Sequence, residues 1–137
     1  MKRIDPYLMF HGECREVMEF YQQCLGSELE LMPYEGSEVP HKEEDKDLVL
    51  HATLRSGAVV IMAADNPGDK KPVSAASVHL SIDCSSAEEI KQLFEQFSTG
   101  GKVSMPLQDT FWGATFAMCT DKYGIHWMFN YDKPNPS

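Results

Sequence analysis

Apolar residues recur along this chain with two different periods, and the changes between them mark out the elements. Ile4 to Phe10 is apolar and opens on Asp5-Pro6, which predicts a strand that begins at a proline. Cys14, Val17, Met18, Tyr21, Cys24 and Leu25 then follow at three- and four-residue spacing, the stripe of an amphipathic helix that Gly26 ends. Ser27 to Met32 alternates as a strand with Leu29 and Leu31 on one face, and the polar, acidic stretch Pro33 to Asp47 predicts a long surface loop with no core of its own. Val49 to Arg55 and Ala58 to Ala64, separated by Ser56-Gly57, read as a hairpin.

A second loop, Asp65 to Pro72, precedes an alternating strand from Ser77 to Asp83. Ser85-Ser86-Ala87-Glu88-Glu89 offers two overlapping capping boxes before a helix with the stripe Ile90, Leu93, Phe94 and Phe97, which Gly100-Gly101 stops. Lys102 to Met105, Ala114 to Thr120 and Ile125 to Tyr131 complete the strands, and Asp132 to Ser137 should fray.

The order strand-helix-strand-strand-strand thus occurs twice. An offset of 73 carries Glu16 to Glu89, Val17 to Ile90, Phe20 to Leu93, Tyr21 to Phe94 and Gln23 to Gln96, and an offset of 74 carries Leu29 to Val103 and Leu31 to Met105. This predicts an α+β fold of two tandem βαβββ modules, roughly residues 1–64 and 77–131 with a linker at 65–76, forming a single domain over 1–137.

Each helix must bury its stripe on one side of its sheet, so each strand should show an apolar face to the helix and a mixed face away from it. The expected helix-facing sets are Leu50, Ala52 and Leu54; Val78, Leu80 and Ile82; Phe116 and Met118; and Trp127, Phe129 and Tyr131. The opposite face then holds His51, Thr53 and Arg55; Ser77, His79 and Ser81; Thr115, Ala117 and Cys119; and His126, Met128 and Asn130. Three histidines on one inferred face suit a small-molecule cavity, where polar groups among apolar walls orient a ligand, although a lone histidine is more often a surface or structural residue. In the loop Leu107 to Gly113, Phe111-Trp112-Gly113 places two aromatics beside a glycine, either to close over a ligand or to plug the loop onto the core. No G-x-S-x-G, phosphate loop or dinucleotide fingerprint occurs, and Asp65, Asp109 and Asp121 fall where a turn role is expected.

Composition narrows the partners. At 137 residues, 42% hydrophobic and 24% charged, the chain has the make-up of one globular domain. Twelve Lys and Arg against 21 Asp and Glu give a net charge of −9, which repels nucleic-acid phosphates and anionic lipid. Ala58 to Ala64, the longest apolar run, is far short of the roughly 20 residues of a membrane span, and no secretory signal opens the chain, so the expected compartment is the cytoplasm. Cys14, Cys24, Cys84 and Cys119 form no C-x-x-C pair and read as reduced core thiols.

Pro6-Tyr7-Leu8-Met9-Phe10, Glu19-Phe20-Tyr21 through Cys24-Leu25-Gly26, Gly100-Gly101-Lys102-Val103, Met105-Pro106-Leu107, Phe111-Trp112-Gly113 and Asp121-Lys122-Tyr123-Gly124 together resemble the PhnB-like branch of the vicinal oxygen chelate superfamily, which includes glyoxalase I, bleomycin-resistance proteins and extradiol dioxygenases. The resemblance implies paired modules forming an open, cup-like mixed sheet, and commonly a homodimer. Branch members are sometimes labelled demethylubiquinone methyltransferase-like, but no glycine-rich nucleotide loop follows the first strand here. Metal-dependent members hold a divalent ion through the first, fourth, fifth and eighth strands. Those positions fall here near Pro6, Met62, Ser77 or His79, and Met128, of which only His79 suits such an ion, so the expectation is no metal and no cofactor.

The resulting functional expectation is metal-free binding of a small molecule in a cavity lined by Phe10, His51, His79, Trp112, His126 and Met128. The alternative is a glyoxalase-type lyase, isomerase or dioxygenase in which His79 and one of His51 or His126 hold a metal or shuttle protons. A third class, an interaction module docking a basic partner through Glu35 to Asp47, competes with a solvated loop.

Overall fold

The computed structural model describes residues 1–68 and 78–134. The chain divides into two compact units at residues 71/72. In the first, strand β1 (Tyr7–Phe10), helix α1 (Cys14–Leu25), β2 (Glu28–Pro33), β3 (Val49–Ser56) and β4 (Val59–Asp65) form a four-stranded sheet of order β1-β4-β3-β2. In the second, β5 (Leu80–Asp83), α2 (Ala87–Ser98), β6 (Lys102–Asp109), β7 (Ala114–Thr120) and β8 (His126–Asp132) repeat it as β5-β8-β7-β6. In each sheet the first strand lies parallel to the last and the other pairs are antiparallel. The 73-residue offset carries β1 onto β5 and α1 onto α2 end to end. The duplication is therefore structural, and the fold is α+β.

The helices form where their stripes and caps require. Gly26 closes α1 at φ 60°, a left-handed conformation favoured by glycine, and its N–H donates to the Gln22 carbonyl. Ser86 caps α2 by accepting from the Glu89 N–H at 3.0 Å, while the Glu89 carboxylate reaches back to the Ser85 N–H at 2.9 Å. The N-terminus of α1 has no such serine. Asp65, at the end of β4 and 2% exposed, accepts there from the Gly12 and Cys14 N–H groups and across the sheet from Val49 N–H. A residue expected in a loop thus satisfies, from a buried position, the free N–H groups at a helix N-terminus.

Each helix packs over one face of its own sheet. Under α1 the core is Val17, Met18 and Tyr21 with Ala52, Leu54 and Ala63. Under α2 it is aromatic: Phe97 lies 4.5 Å from Trp127 and 5.7 Å from Phe129, ring centre to ring centre, and Phe94 meets Phe129 edge-on at 5.7 Å.

Several expectations are corrected. Phe10 is buried on the α1 side, because it pairs with Asp65 and alternates with Met9 and Tyr7, so it belongs to the core and not to the opposite face. On β7 the faces are reversed. Ala117 pairs with Phe129 and Cys119 with Trp127 under the helix, while Phe116 and Met118 pair with Asn130 and Met128 on the other side. The aromatic rings of α2 and β8 already fill that space, leaving β7 room for small residues only. Val78 precedes β5 and is 63% exposed, so it does not pack beneath α2, and Ser77 lies outside the described residues. A shift in pairing between Met32 and Pro33 makes Val49 the buried residue at the start of β3 and leaves Leu50 half-buried. Strand β6 runs through Pro106 to Asp109, which an edge strand with two irregularities tolerates. In the long loop after β2, Tyr34 is buried and hydrogen-bonded across to Leu48, so that loop is anchored to the core.

Candidate functional site

The face of each sheet away from its helix collects the polar groups. In the first unit His51 is the centre. Its Nδ1 lies 3.1 Å from the Tyr7 hydroxyl and its Nε2 lies 3.1 Å from Thr53 Oγ1, so both ring nitrogens are engaged. Cross-strand register explains the group: Tyr7 pairs with Met62, Met62 with Thr53, and His51 with Met32, all on one face. Tyr7, Met9 and Met32 are each about half exposed around it. Partial burial raises the Tyr7 phenol above its usual pKa, with smaller contributions from Cys14 and Tyr34.

In the second unit His79 and His126 lie side by side, ring centres 5.1 Å apart, and His126 Nδ1 lies 2.9 Å from Thr120 Oγ1. Along the same face Met128 pairs with Met118, and Asn130 with Phe116. Trp112, 56% exposed on the turn between β6 and β7, meets Phe116 edge-on at 6.2 Å and Phe111 at 5.0 Å. Of the six expected site residues, the second sheet brings His79 and His126 together, with Met128 further along the same face and Trp112 beyond it beside Phe116; the first presents His51 on its open face, and Phe10 falls in the core. The sequence places Thr53 on the face of His51 without marking it as a site residue, and the site candidates read from it leave out Tyr7, Phe116, Met118 and Thr120. Tyr7 is legible from its alternation with Phe10, whereas Thr120 is identified only by its pairing with a histidine.

The buried carboxylates have structural work. Asp121, 3% exposed, accepts from the Tyr123 and Ile125 N–H groups and from the Trp127 indole at 2.9 Å, closing the turn between β7 and β8. Asp109, by contrast, is exposed; it is ion-paired with Lys133 at 2.7 Å, and that partner holds its carboxyl below the usual range. Three of the four thiols are buried, and burial pushes Cys14 and Cys119 up to about 12 and Cys84 to about 11. A surface cleft of about 530 Å³ opens beside the β3–β4 turn, lined among others by Arg3, Glu28 and Arg55, and none of the six expected residues lines it. Its charges are balanced locally, since Arg3 pairs with Asp5 and Glu28 faces Arg55 in the ladder.

Residues 3–129 match the glyoxalase/bleomycin resistance protein/dioxygenase superfamily. The chain belongs to this superfamily. Protein YjdN of Escherichia coli (strain K12) is 32% identical over 147 aligned positions, covering 98% of each chain. Among solved structures, protein PA1353 from Pseudomonas aeruginosa is 37% identical, with 98% of this chain and 100% of that one covered and a TM-score of 0.86. The PhnB protein from Bacillus cereus is 27% identical over 95% of this chain and 99% of its own, with a TM-score of 0.80.

The superfamily's divalent ion is a poor fit to these residues. Pro6 offers its carbonyl to Met62 N–H and has no ligating side chain, and Met62 and Met128 present soft thioethers where a hard or borderline ion needs oxygen or imidazole. Among the described residues, no three of the His, Cys, Asp and Glu side chains are grouped to share an ion.

Proposed function

We propose that this superfamily member binds a small organic molecule over the open faces of its sheets, without a metal ion. The observation carrying this reading is the row formed along the face that α2 leaves uncovered by the His79–His126 pair, the Met118–Met128 pair and the Phe116–Trp112 pair. Half-exposed apolar and aromatic groups supply area, and the imidazoles orient a polar substituent. A homodimer in the cytoplasm belongs to the same reading, supported by the likeness to the PhnB-like branch; among the described residues, no helix is long and apolar enough to cross a membrane.

The test is a titration of chelator-treated protein with a library of small aromatic and aliphatic compounds, followed by tryptophan fluorescence. Trp112 is exposed on the site and Trp127 is buried, so binding should change emission in the native chain and in Trp127→Phe but not in Trp112→Phe. Binding that needs an added divalent ion contradicts the reading.

A further inference from the structure

The open face of the first unit carries a hydrogen-bond chain whose proton inventory constrains what it recognises. Tyr7 hydroxyl, His51 and Thr53 hydroxyl are linked in series, with Thr53 only 5% exposed and Tyr7 45% exposed. A neutral imidazole has one N–H and one lone pair. When Nδ1 carries the proton it donates to the Tyr7 oxygen, the Thr53 hydroxyl donates to Nε2, and the Tyr7 O–H is left to point outward. In the other tautomer Nε2–H donates to the Thr53 oxygen, Tyr7 donates its own proton to Nδ1, and the exposed Tyr7 oxygen offers only lone pairs outward. Protonated His51 donates from both nitrogens, so the Tyr7 O–H must then point outward.

Resting on the small-molecule reading, we infer that Tyr7, held by His51 and Thr53, is a hydrogen-bond donor site for a carbonyl or carboxylate oxygen carried on an apolar body, and that acid strengthens this recognition. The apolar body has partners at hand: Met32 is the cross-strand neighbour of His51, Met62 that of Tyr7 and Thr53, and methionine surfaces adapt to ligand shape. The charged groups on this face are Glu28 and Glu30 of β2 and Arg55 of β3; the facing positions of β1 and β4 are Tyr7, Met9, Val60, Met62 and Ala64, none of which charges near neutrality. A neutral probe therefore separates hydrogen-bond polarity from simple attraction to imidazolium.

The experiment is an amide NMR titration of the full chain with acetophenone, a neutral carbonyl acceptor, at pH 5.5 and pH 8. Shifts should centre on β1 and β3, and affinity should rise on acidification. Tyr7→Phe, which keeps the ring, should weaken binding about three- to tenfold, the worth of one neutral hydrogen bond, and remove the pH dependence. His51→Gln should also remove the pH dependence, and both variants should keep the native amide spectrum elsewhere. Equal binding by Tyr7→Phe, no dependence on pH, or shifts confined to the second unit would overturn this inference while leaving the small-molecule reading in place. Failure of every library compound to bind either open face would overturn both.

Discussion

The Asp121 carboxylate accepts the indole N–H of Trp127 at 2.9 Å, and both side chains are almost fully buried. One turn residue thereby orients the largest side chain of the second core, against which the Phe97 ring packs at a tilt. Asp121→Ala would leave this donor and the N–H groups of Tyr123 and Ile125 without the carboxylate, and should cost about 3 kcal/mol in urea denaturation. Asp121→Asn should cost less, because the amide oxygen still accepts from the backbone. Equal stability of all three proteins would show that the turn is held by something else.

The reversed faces of β7 give a paired test. Phe129 is buried between Phe94 and Phe97, so Phe129→Ala should cost about 3 to 5 kcal/mol. Phe116, half-buried on the open face, should cost much less when changed to alanine. A cost for Phe116→Ala as large as that for Phe129→Ala would restore the faces first read from the sequence.

That misreading shows where a sequence is legible. The stripes of α1 and α2, their caps and the 73-residue offset are local signals, and the elements formed accordingly. Thr115 to Cys119 alternates two large apolar residues with small ones, so size pointed to Phe116 and Met118 as core. The choice belonged to α2 and β8, whose rings leave space for Ala117 and Cys119 alone. Phe10 is one residue out of phase with Tyr7, and only the pairing of β1 with β4 shows which of the two lies under α1; no local pattern marks Asp65, because its three N–H partners come from segments distant in the sequence. The histidine faces were legible because His51 and His126 alternate with buried residues in β3 and β8, and His79 lies one residue before Leu80 in phase with the open face of β5.

The buried thiols predict a pH limb. Each holds its proton more tightly when folded, so its contribution is fully present below the ordinary thiol pKa near 9 and is lost as pH rises from there towards 11 to 12. Urea midpoints should therefore fall between pH 9 and pH 11 more steeply than in a Cys14→Ala, Cys119→Ala double variant. In native protein at pH 8, a thiol reagent should find at most the half-buried Cys24 promptly, and all four cysteines after denaturation. Rapid native reaction at Cys119 would contradict the burial.

The donor set at the superfamily's metal positions predicts that protein dialysed against chelator takes up no stoichiometric Ni, Zn, Mn or Fe(II) on re-addition. Calorimetry decides it: micromolar or tighter binding at one ion per chain, abolished by His79→Ala, would assign the metal chemistry that these residues argue against.

The central claim is that ligand meets the helix-free faces, and amide NMR mapping of bound library compounds tests it most directly. The account predicts shifts at Tyr7, His51 and Thr53, or at Trp112, His126 and Met128, with Ala52, Leu54, Ala117 and Cys119 little changed. Shifts confined to residues beneath α1 and α2 would contradict it.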